Sequence, residues 1–316
     1  MGIYKKLIQV VIVSIIGYLI WVFATGYEEF LAGFSSIGFT GLAILLLLSL
    51  FNYLTRFLRW HWMINKVNPT KIDIVYHCKI YLAGFALTAT PGKVGEAVRS
   101  YYLKPEGVPV NSSLAALLAE RMLDILSVLI ISILAIIHFT EYRWVGISIL
   151  VGILLLILII RSQFIIKVLE AGLKISGSSF LQKVLRLSID TITSTRSYMT
   201  LDVWFFGLLI GLVSWGAEAY GFYLLLKWLT GADLILLASG IYSFSMIIGA
   251  VSFLPGGLGG AEVTMAGLLT LIGISLSDAT TATIICRLVT LWFAVILGLY
   301  YLSRLKMPEQ MEEINE

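Results

Sequence analysis

Long apolar runs dominate the chain, and they do not alternate with polar residues. Segments such as LAILLLLSL and ILVGILLLILII lack the period-two pattern of a membrane β-barrel strand. A helix needs about 20 apolar residues to cross a bilayer, and several runs approach that length. The predicted helical spans are 7–23, 40–60, 76–90, 113–139, 144–161, 203–226, 235–254 and 280–302. The pattern therefore predicts an all-α integral membrane protein.

Two Pro-Gly breaks interrupt this apolar pattern, about half of the chain apart. The first Pro-Gly segment is residues 91–96 (PGKVGE), and the second Pro-Gly segment is residues 255–262 (PGGLGGAE). Each is followed, roughly 30 residues after its proline, by an arginine inside an apolar helix, Arg121 or Arg287. The shared pattern suggests an internal duplication.

We interpret both segments as the tips of re-entrant helical hairpins. Proline and glycine break helices, and irregular backbone at membrane depth persists only where protein or a water-filled cavity satisfies its polar groups. A simpler alternative is that these glycines only permit close helix packing or form loops. The tip residues are Pro91, Gly92, Gly95, Pro255, Gly256, Gly257, Gly259 and Gly260.

The position of the tips predicts an inverted repeat. Three predicted membrane crossings separate the two tips. Because this number is odd, the second copy would be inverted in the membrane relative to the first, as in many transporters. We expect one membrane domain over residues 1–316, with repeats at about 1–140 and 141–306 and a short polar tail at 307–316. Helix N-termini after each Pro-Gly would point their N–H groups at a common anion.

The basic residues predict orientation. Only 13% of residues are charged and the net charge is +3, against about 25% charged residues in soluble domains. Six full crossings plus two hairpins place most of the 22 Lys and Arg residues, including those in 60–75 and 104–112, on the cytoplasmic side of the cell membrane with both termini. A model with eight full crossings would instead place the basic residues of 60–75 and those of 104–112 on opposite sides of the membrane. In this arrangement the acidic segment TGYEEFLAG forms an outside loop, and 162–202 is interpreted as amphipathic helices on the cytoplasmic surface of the membrane.

Charged residues inside apolar helices point to a polar site. Each one costs about 2.5–3.5 kcal/mol at mid-bilayer, so it must pair or face water. Either the charges form structural ion pairs, or they line a cavity for a charged headgroup. We expect Arg56 and Arg59 to snorkel to the interface, and Lys93 and Arg99 to bind an entering phosphate. The candidate substrate-binding residues are Lys93, Glu96, Arg99, Glu120, Arg121, Asp124, Glu218, Glu262 and Arg287.

Other kinds of site lack support. The three histidines are scattered and the two cysteines are far apart, so neither a metal site nor a disulfide framework is expected. GGLGGAE follows an apolar helix and does not match the dinucleotide fingerprint. We expect no cofactor, no metal, no catalytic residue and no nucleic-acid partner.

Four motifs occur in an order that resembles a known family. They are TPGKVGEAVRSYYL, LLAERMLDIL, FLPGGLGGAEVTM and ICRLVTLWF, and together they resemble the lysylphosphatidylglycerol synthase transmembrane-region family, also described as flippase-like or UPF0104 membrane proteins. Position 93 is lysine where the resemblance leads us to expect arginine, which keeps the charge but loses bidentate phosphate binding. The matched positions are Pro91, Gly92, Gly95, Glu96, Arg99, Glu120, Arg121, Asp124, Pro255, Gly256, Gly257, Glu262 and Arg287.

The resemblance implies a function in lipid movement. In that family the membrane region is similar to a lipid flippase, and larger members add a soluble aminoacyltransferase. This chain ends at MPEQMEEINE after the last span, so we expect a standalone member that does not synthesise the lipid. The expected partner is a membrane lipid, an anionic phospholipid or a polyprenyl-phosphate-linked glycolipid. The alternatives are an integral membrane lipid-modifying enzyme and a non-transporting scaffold or regulator of a separate lipid-modifying or glycosyl-transferring enzyme.

Overall fold

A computed structural model describes residues 3–69, 71–88, 90–252 and 254–306, and helices make up most of this part of the chain. The α-helices are α1 (Ile3–Val67), α2 (Ile74–Ala83), α3 (Arg99–Leu103), α4 (Val110–His138), α5 (Arg143–Arg161), α6 (Gln163–Ile175), α7 (Ser179–Thr195), α8 (Leu201–Thr230), α9 (Ile235–Val251), α10 (Gly260–Leu271), α11 (Leu276–Arg287) and α12 (Phe293–Arg304). Short 3₁₀ helices occur at Gly84–Leu87, Pro91–Val98, Thr140–Tyr142, Arg196–Tyr198 and Pro255–Gly257, and a π-helical turn at Leu288–Trp292 joins α11 to α12.

The N-terminal region differs from the prediction of two spans joined by an acidic loop. Residues 3–67 form one helical run, and the predicted outside loop TGYEEFLAG is helical. The physical reason is that this stretch contains no proline, which is the residue that most strongly breaks a helix. The run is interrupted only locally at Gly38, which has a left-handed φ of 64°.

The predicted class is confirmed, since the described residues form an all-α membrane protein. Five described helices are long and apolar enough to cross a membrane: Leu31–Val67, Val110–His138, Arg143–Ile160, Leu201–Thr230 and Leu276–Arg304. Two shorter apolar helices, Ile74–Leu87 and Ile235–Val251, precede the two Pro-Gly segments. The count of six crossings plus two hairpins stays a prediction. Segment 162–202 is helical as expected, in α6 and α7.

The bundle has two ends, which contacts between distant residues define. At the first end, Asn68 Nδ2 donates to Ser112 Oγ at 2.5 Å, and the Ser112 and Tyr198 hydroxyls lie 3.2 Å apart. Helix α8 starts just after this point and runs for 30 residues, about 45 Å. At its far end, Gly33 packs against Leu229 and Thr281.

Both Pro-Gly segments lie on stretches of chain that leave one end of the bundle and return to it. The first stretch connects the end of α1 to the start of α4, both at the Asn68 end. The second connects the end of α8 to the start of α11, both at the Gly33 end. Between the two ends, the 3₁₀ helix Pro91–Val98 contacts the 3₁₀ helix Pro255–Gly257. Two hairpins entering from opposite sides would have this geometry, and their re-entrant placement in a bilayer stays a prediction.

Candidate functional site

The first Pro-Gly segment is held by a threonine and a glycine. Thr90 Oγ1 accepts the backbone N–H of Gly95 at 2.8 Å and donates to Leu87 O at 2.7 Å. A Cβ at Gly95 would come within 2.3 Å of Leu87 Cβ, so only glycine fits this turn. The segment Pro91–Val98 is a 3₁₀ helix of eight residues, longer than the roughly three or four residues that its poorer hydrogen-bond geometry usually allows.

In the second Pro-Gly segment, a carboxylate caps the following helix. Gly256, Gly257 and Gly259 have φ of 62°, 69° and 87°, which L side chains rarely adopt. Glu262 Oε2 then accepts the backbone N–H of Gly259 at 2.7 Å, at the start of α10. This carboxylate satisfies one N–H group at the start of the helix, and binding of an external anion there stays a prediction.

Asp124, near the middle of α4, is surrounded by cationic and aromatic donors. Arg56 Nη2 donates to Asp124 Oδ2 at 2.8 Å, and Arg59 Nη2 donates to Asp124 Oδ1 at 2.5 Å. The Trp215 indole N–H also donates to Oδ1, at 3.1 Å, and the Arg56 guanidinium lies over the Trp215 ring. These contacts link α1, α4 and α8 through one carboxylate.

Glu120 lies one turn before Asp124 and connects the same network to the first Pro-Gly segment. Tyr81 Oη donates to Glu120 Oε1 at 2.7 Å, and Arg99 Nη1 donates to Oε2 at 3.3 Å. Arg99 Nη2 also lies 3.0 Å from Glu96 Oε2. Arg121 Nη2 approaches three carboxylates at 3.1–3.6 Å, those of Asp124, Glu120 and Glu96.

The structure corrects the expectation that Arg56 and Arg59 snorkel to the interface. Both are buried, Arg59 with 0% of its surface exposed, because Asp124 and Glu120 on α4 offer them acceptors inside the bundle. Sequence reasoning missed them as site residues. A signal was present: the two arginines are three residues apart in an apolar helix, as Arg121 and Asp124 are, and so share one helix face.

Arg99 lies inside the bundle rather than at an exposed entrance. Arg99 is buried, with its guanidinium 3.9 Å from the centre of the Tyr81 ring and its Nε donating to Tyr81 O. Its ion-pair partners in the structure are Glu96 and Glu120, and its part in binding a phosphate stays a prediction. The side chain of Lys93 lies outside the described residues.

The ion pair between Arg287 and Glu262 resembles the one between Arg121 and Glu96. Arg287 Nε donates to Glu262 Oε1 at 2.7 Å, and its Nη2 donates to Gly256 O at 2.6 Å. Glu262 and Arg287 are 25 residues apart, and Glu96 and Arg121 have the same separation. Each Pro-Gly segment thus supplies a glutamate to an arginine 25 residues further along the chain. The internal repeat stays a prediction, to which this equal spacing adds an observation.

A cavity of about 330 Å³ lies between the two arginines, within the range of about 300–1,000 Å³ usual for ligand sites. Arg121, with 19% of its side chain exposed, Asp124 and Arg287 provide its charged lining. The other lining residues are mostly apolar and come mainly from α4, α8, α9 and the second Pro-Gly segment. At its rim, Val251 and Leu254 are 56% and 47% exposed.

An adjoining cavity of about 60 Å³ contains the remaining interior carboxylate, Glu218. The Tyr242 hydroxyl donates to Glu218 Oε2 at 2.5 Å, and both residues are buried. Arg56, Glu96 and Arg287 line the same small cavity. Apart from the Lys93 side chain, the predicted site residues thus lie in one continuous polar region around the two Pro-Gly segments.

Two histidines that are distant in sequence meet in the fold. His61 Nδ1 and His77 Nδ1 lie 2.8 Å apart, and the Trp60 indole N–H donates to His77 Nε2. Sequence spacing alone had suggested that the histidines are scattered. Among the described residues, however, no group of three or more histidine, cysteine or acidic side chains is arranged to hold a metal ion.

Comparison with known proteins identifies the family. The profile described as "Lysylphosphatidylglycerol synthase TM region" matches residues 6–298. A "UPF0104 membrane protein" of Methanothermobacter thermautotrophicus is 26% identical over 234 residues, 67% of this chain and 69% of the relative. One of Pyrococcus horikoshii is 24% identical over 266 residues, 76% of this chain and 79% of the relative. Since the profile covers nearly the whole of a multi-pass membrane chain, this protein belongs to the family of the lysylphosphatidylglycerol synthase transmembrane region.

Proposed function

We propose that this protein is a lipid flippase-like transporter that moves an anionic phospholipid or a polyprenyl-phosphate-linked glycolipid between leaflets. Transport would be passive or ion-coupled, and the protein would act as a transporter rather than an enzyme. The observation that carries the proposal is the cavity between the two Pro-Gly segments, which has Arg121 and Arg287 on its wall. Guanidinium groups suit the phosphate of a headgroup.

The apolar part of the cavity also supports a lipid substrate. Val251 and Leu254 at its rim are exposed apolar residues beside the polar wall. A headgroup could therefore bind near Arg121 while its acyl chains stay outside against this rim. Membership of a family named for a lipid synthase, through its membrane region, points to the same class of molecule. We further propose that the protein resides in the cell membrane with both termini cytoplasmic.

A translocation assay tests this function. The protein is reconstituted into vesicles that contain fluorescent phosphatidylglycerol, and the fraction of label that dithionite reaches is followed over time. We expect Arg121→Ala to slow translocation by about tenfold or more, since removing one partner of a buried charge network costs about 2–5 kcal/mol. Lys104→Ala, at an exposed cation outside the network, is the matched control.

The same vesicles distinguish the alternatives. Unchanged lipid masses together with protein-dependent translocation support a transporter, whereas a new lipid mass would indicate an enzyme. If wild-type vesicles translocate no faster than protein-free vesicles, the transport proposal is wrong and a scaffold or regulator becomes the better interpretation.

A further inference from the structure

The polar region around the two Pro-Gly segments contains equal numbers of arginines and carboxylates among its described side chains. Ion pairs with N–O distances of 2.5–3.6 Å join many of them. With all of these groups ionised the region is neutral, so a bound monoanionic headgroup would add one uncompensated negative charge. Such a charge is costly inside a protein. The arginines are Arg56, Arg59, Arg99, Arg121 and Arg287, and the carboxylates are Glu96, Glu120, Asp124, Glu218 and Glu262.

Glu218 lies directly behind the wall of the cavity proposed to hold the headgroup. That cavity of about 330 Å³, the large cavity, shares lining residues with the small cavity of about 60 Å³ that contains Glu218. The shared residues are Trp215, Met246, Arg287 and Leu291. Charges separated by so little protein interact strongly in an interior of low dielectric constant. The charge state of Glu218 therefore affects what the large cavity can bind.

A third cavity also reaches Glu218. This water-sized cavity has a volume of about 10 Å³, and Ser49 and Cys286 contribute to its lining; one water molecule needs about that volume. Glu218 and Thr290 line both this cavity and the small cavity. Thr290 belongs to the π-helical turn, an irregularity typical of functional positions, and its carbonyl oxygen accepts the Tyr53 hydroxyl. The Glu218 carboxylate thus lies where two cavities meet, a position from which it can exchange a proton with water.

We propose that the protein moves one proton with each lipid and that Glu218 carries this proton. The inference rests on the proposed transport of an anionic lipid and names its coupling ion. In the loaded state a proton from water forms an O–H bond with the Glu218 carboxylate and offsets the charge of the headgroup. When the headgroup leaves on the other side of the membrane, this bond breaks and the proton returns to water there. The lipid anion and the proton thus cross together, and no net charge moves.

The Tyr242 hydroxyl can hydrogen-bond both states of this carboxyl group. It donates to Glu218 Oε2 at 2.5 Å, and a hydroxyl can equally accept a hydrogen bond from a protonated carboxyl group. Carboxylates inside membrane helices act as proton relays in many pumps and transporters. The contact with Tyr242 therefore suits a group that alternates between two protonation states.

Other titratable or charged groups face Glu218 from each neighbouring element. They are Tyr53 and Arg56 on α1, Glu96 in the first Pro-Gly segment, Tyr242 on α9, and Cys286 and Arg287 on α11. Tyrosine, cysteine and arginine side chains ordinarily keep their protons at neutral pH. Of the two carboxylates, Glu218 lines both the small and the water-sized cavity, and Glu96 lines one of them. This position is the reason for assigning the proton to Glu218.

The experiment uses proteoliposomes in which fluorescent phosphatidylglycerol starts in the outer leaflet only and the interior differs from the medium by one pH unit at equal salt. Dithionite reports the share of label in each leaflet at steady state. At one proton per lipid, this gradient should give a ratio of about ten between the leaflets, with the label enriched on the alkaline side. Protein-free vesicles under the same gradient supply the background. Zwitterionic phosphatidylcholine, which brings no net charge, should distribute equally.

Glu218→Gln tests the assigned residue with little change in shape. Its amide oxygen can still accept the Tyr242 hydroxyl, but the side chain cannot take up the proton. Phosphatidylglycerol should therefore distribute equally between the leaflets despite the gradient. Asp233→Asn, the matched neutralisation of an exposed carboxylate, should reach the wild-type ratio. If Glu218→Gln reaches the wild-type ratio as well, the assignment to Glu218 is wrong.

Tyr242→Phe provides an independent test should Glu218→Gln fail to fold or to move lipid. It removes the hydroxyl that contacts the carboxylate, so it should shift the pH of half-maximal translocation, measured with equal pH on both sides. It should still reach the wild-type ratio under a gradient, because the proton carrier remains. An unchanged pH of half-maximal translocation would contradict the assignment to Glu218.

The wild-type protein separates failure of this inference from failure of the transport function. If phosphatidylglycerol crosses but distributes equally under a pH gradient, the proton inference alone is overturned. Accumulation that follows an imposed sodium gradient instead would overturn it in favour of sodium. If phosphatidylglycerol crosses no faster than in protein-free vesicles, the transport function itself fails.

Discussion

Arg287 and Glu262 form a buried ion pair whose carboxylate also caps the helix that follows the second Pro-Gly segment. One oxygen of Glu262 accepts from Arg287 Nε at 2.7 Å, and the other accepts the Gly259 N–H at 2.7 Å. Arg287 in turn donates to Gly256 O. The pair therefore connects α11, the start of α10 and the irregular backbone between α9 and α10.

This double role predicts that two substitutions of Glu262 differ. Glu262→Ala removes the cap and leaves Arg287 buried without this carboxylate, which should lower the free energy of unfolding by about 3–5 kcal/mol. Glu262→Gln should cost less, because its amide oxygen can still accept the Gly259 N–H. Denaturant unfolding in detergent, monitored by tryptophan fluorescence, measures both. Equal losses for the two variants would show that the cap contributes nothing.

The buried position of Arg59 predicts a large cost for neutralising it. Arg59→Gln should lower the free energy of unfolding by about 3–5 kcal/mol, since Asp124 and Glu120 lose a buried partner. Lys104→Gln, at an exposed cation, should stay within about 0.5 kcal/mol of wild type. If Arg59 were a snorkelling interface residue, the two variants would behave alike, and that result would contradict the buried network.

Replacing glycine by alanine should have opposite effects on stability in the second Pro-Gly segment and in α10. Gly257 has φ of 69°, and a Cβ there would lie 3.0 Å from the Gly249 backbone. Gly257→Ala should therefore destabilise the protein by about 1–2 kcal/mol. Gly267, inside α10, has nothing within 4 Å of its Cβ position, and Gly267→Ala should stabilise by about 0.5–1 kcal/mol. Thermal unfolding of the two variants side by side measures this difference in stability. Equal unfolding temperatures would contradict the packing of the second Pro-Gly segment on α9.

The two ends of the bundle predict opposite exposure across the membrane. Glu106 lies near the Asn68 end and Asp233 near the Gly33 end. Single cysteines at these positions, in a background where Cys78 and Cys286 are serine, should react with a membrane-impermeant maleimide from opposite sides. We expect Glu106→Cys to be labelled from the cytoplasmic side and Asp233→Cys from outside. Labelling of both from one side would contradict the predicted topology.

Much of the site could be predicted from sequence because burying charge in an apolar helix is costly wherever that helix packs. Glu120, Arg121 and Asp124 were identified from this cost alone, and the structure brings them into one network. The acidic residues of the Pro-Gly segments were found from their spacing, and both lie beside an arginine. Arg56 and Arg59 were missed, since a basic residue near the end of an apolar span can turn either towards water or inwards.

The sequence by itself determined the all-α membrane class and the two Pro-Gly breaks, because apolar run length and the conformational limits of proline and glycine are local properties of the chain. The tertiary structure alone decided which residues the buried charged side chains contact. Arg59 meets Asp124 across 65 positions of sequence, and Trp215 meets Asp124 across 91. It also decided that Glu262 meets Arg287 and that a cavity separates Arg121 from Arg287. Such contacts depend on how distant helices pack against one another, and no local pattern in the chain encodes that packing.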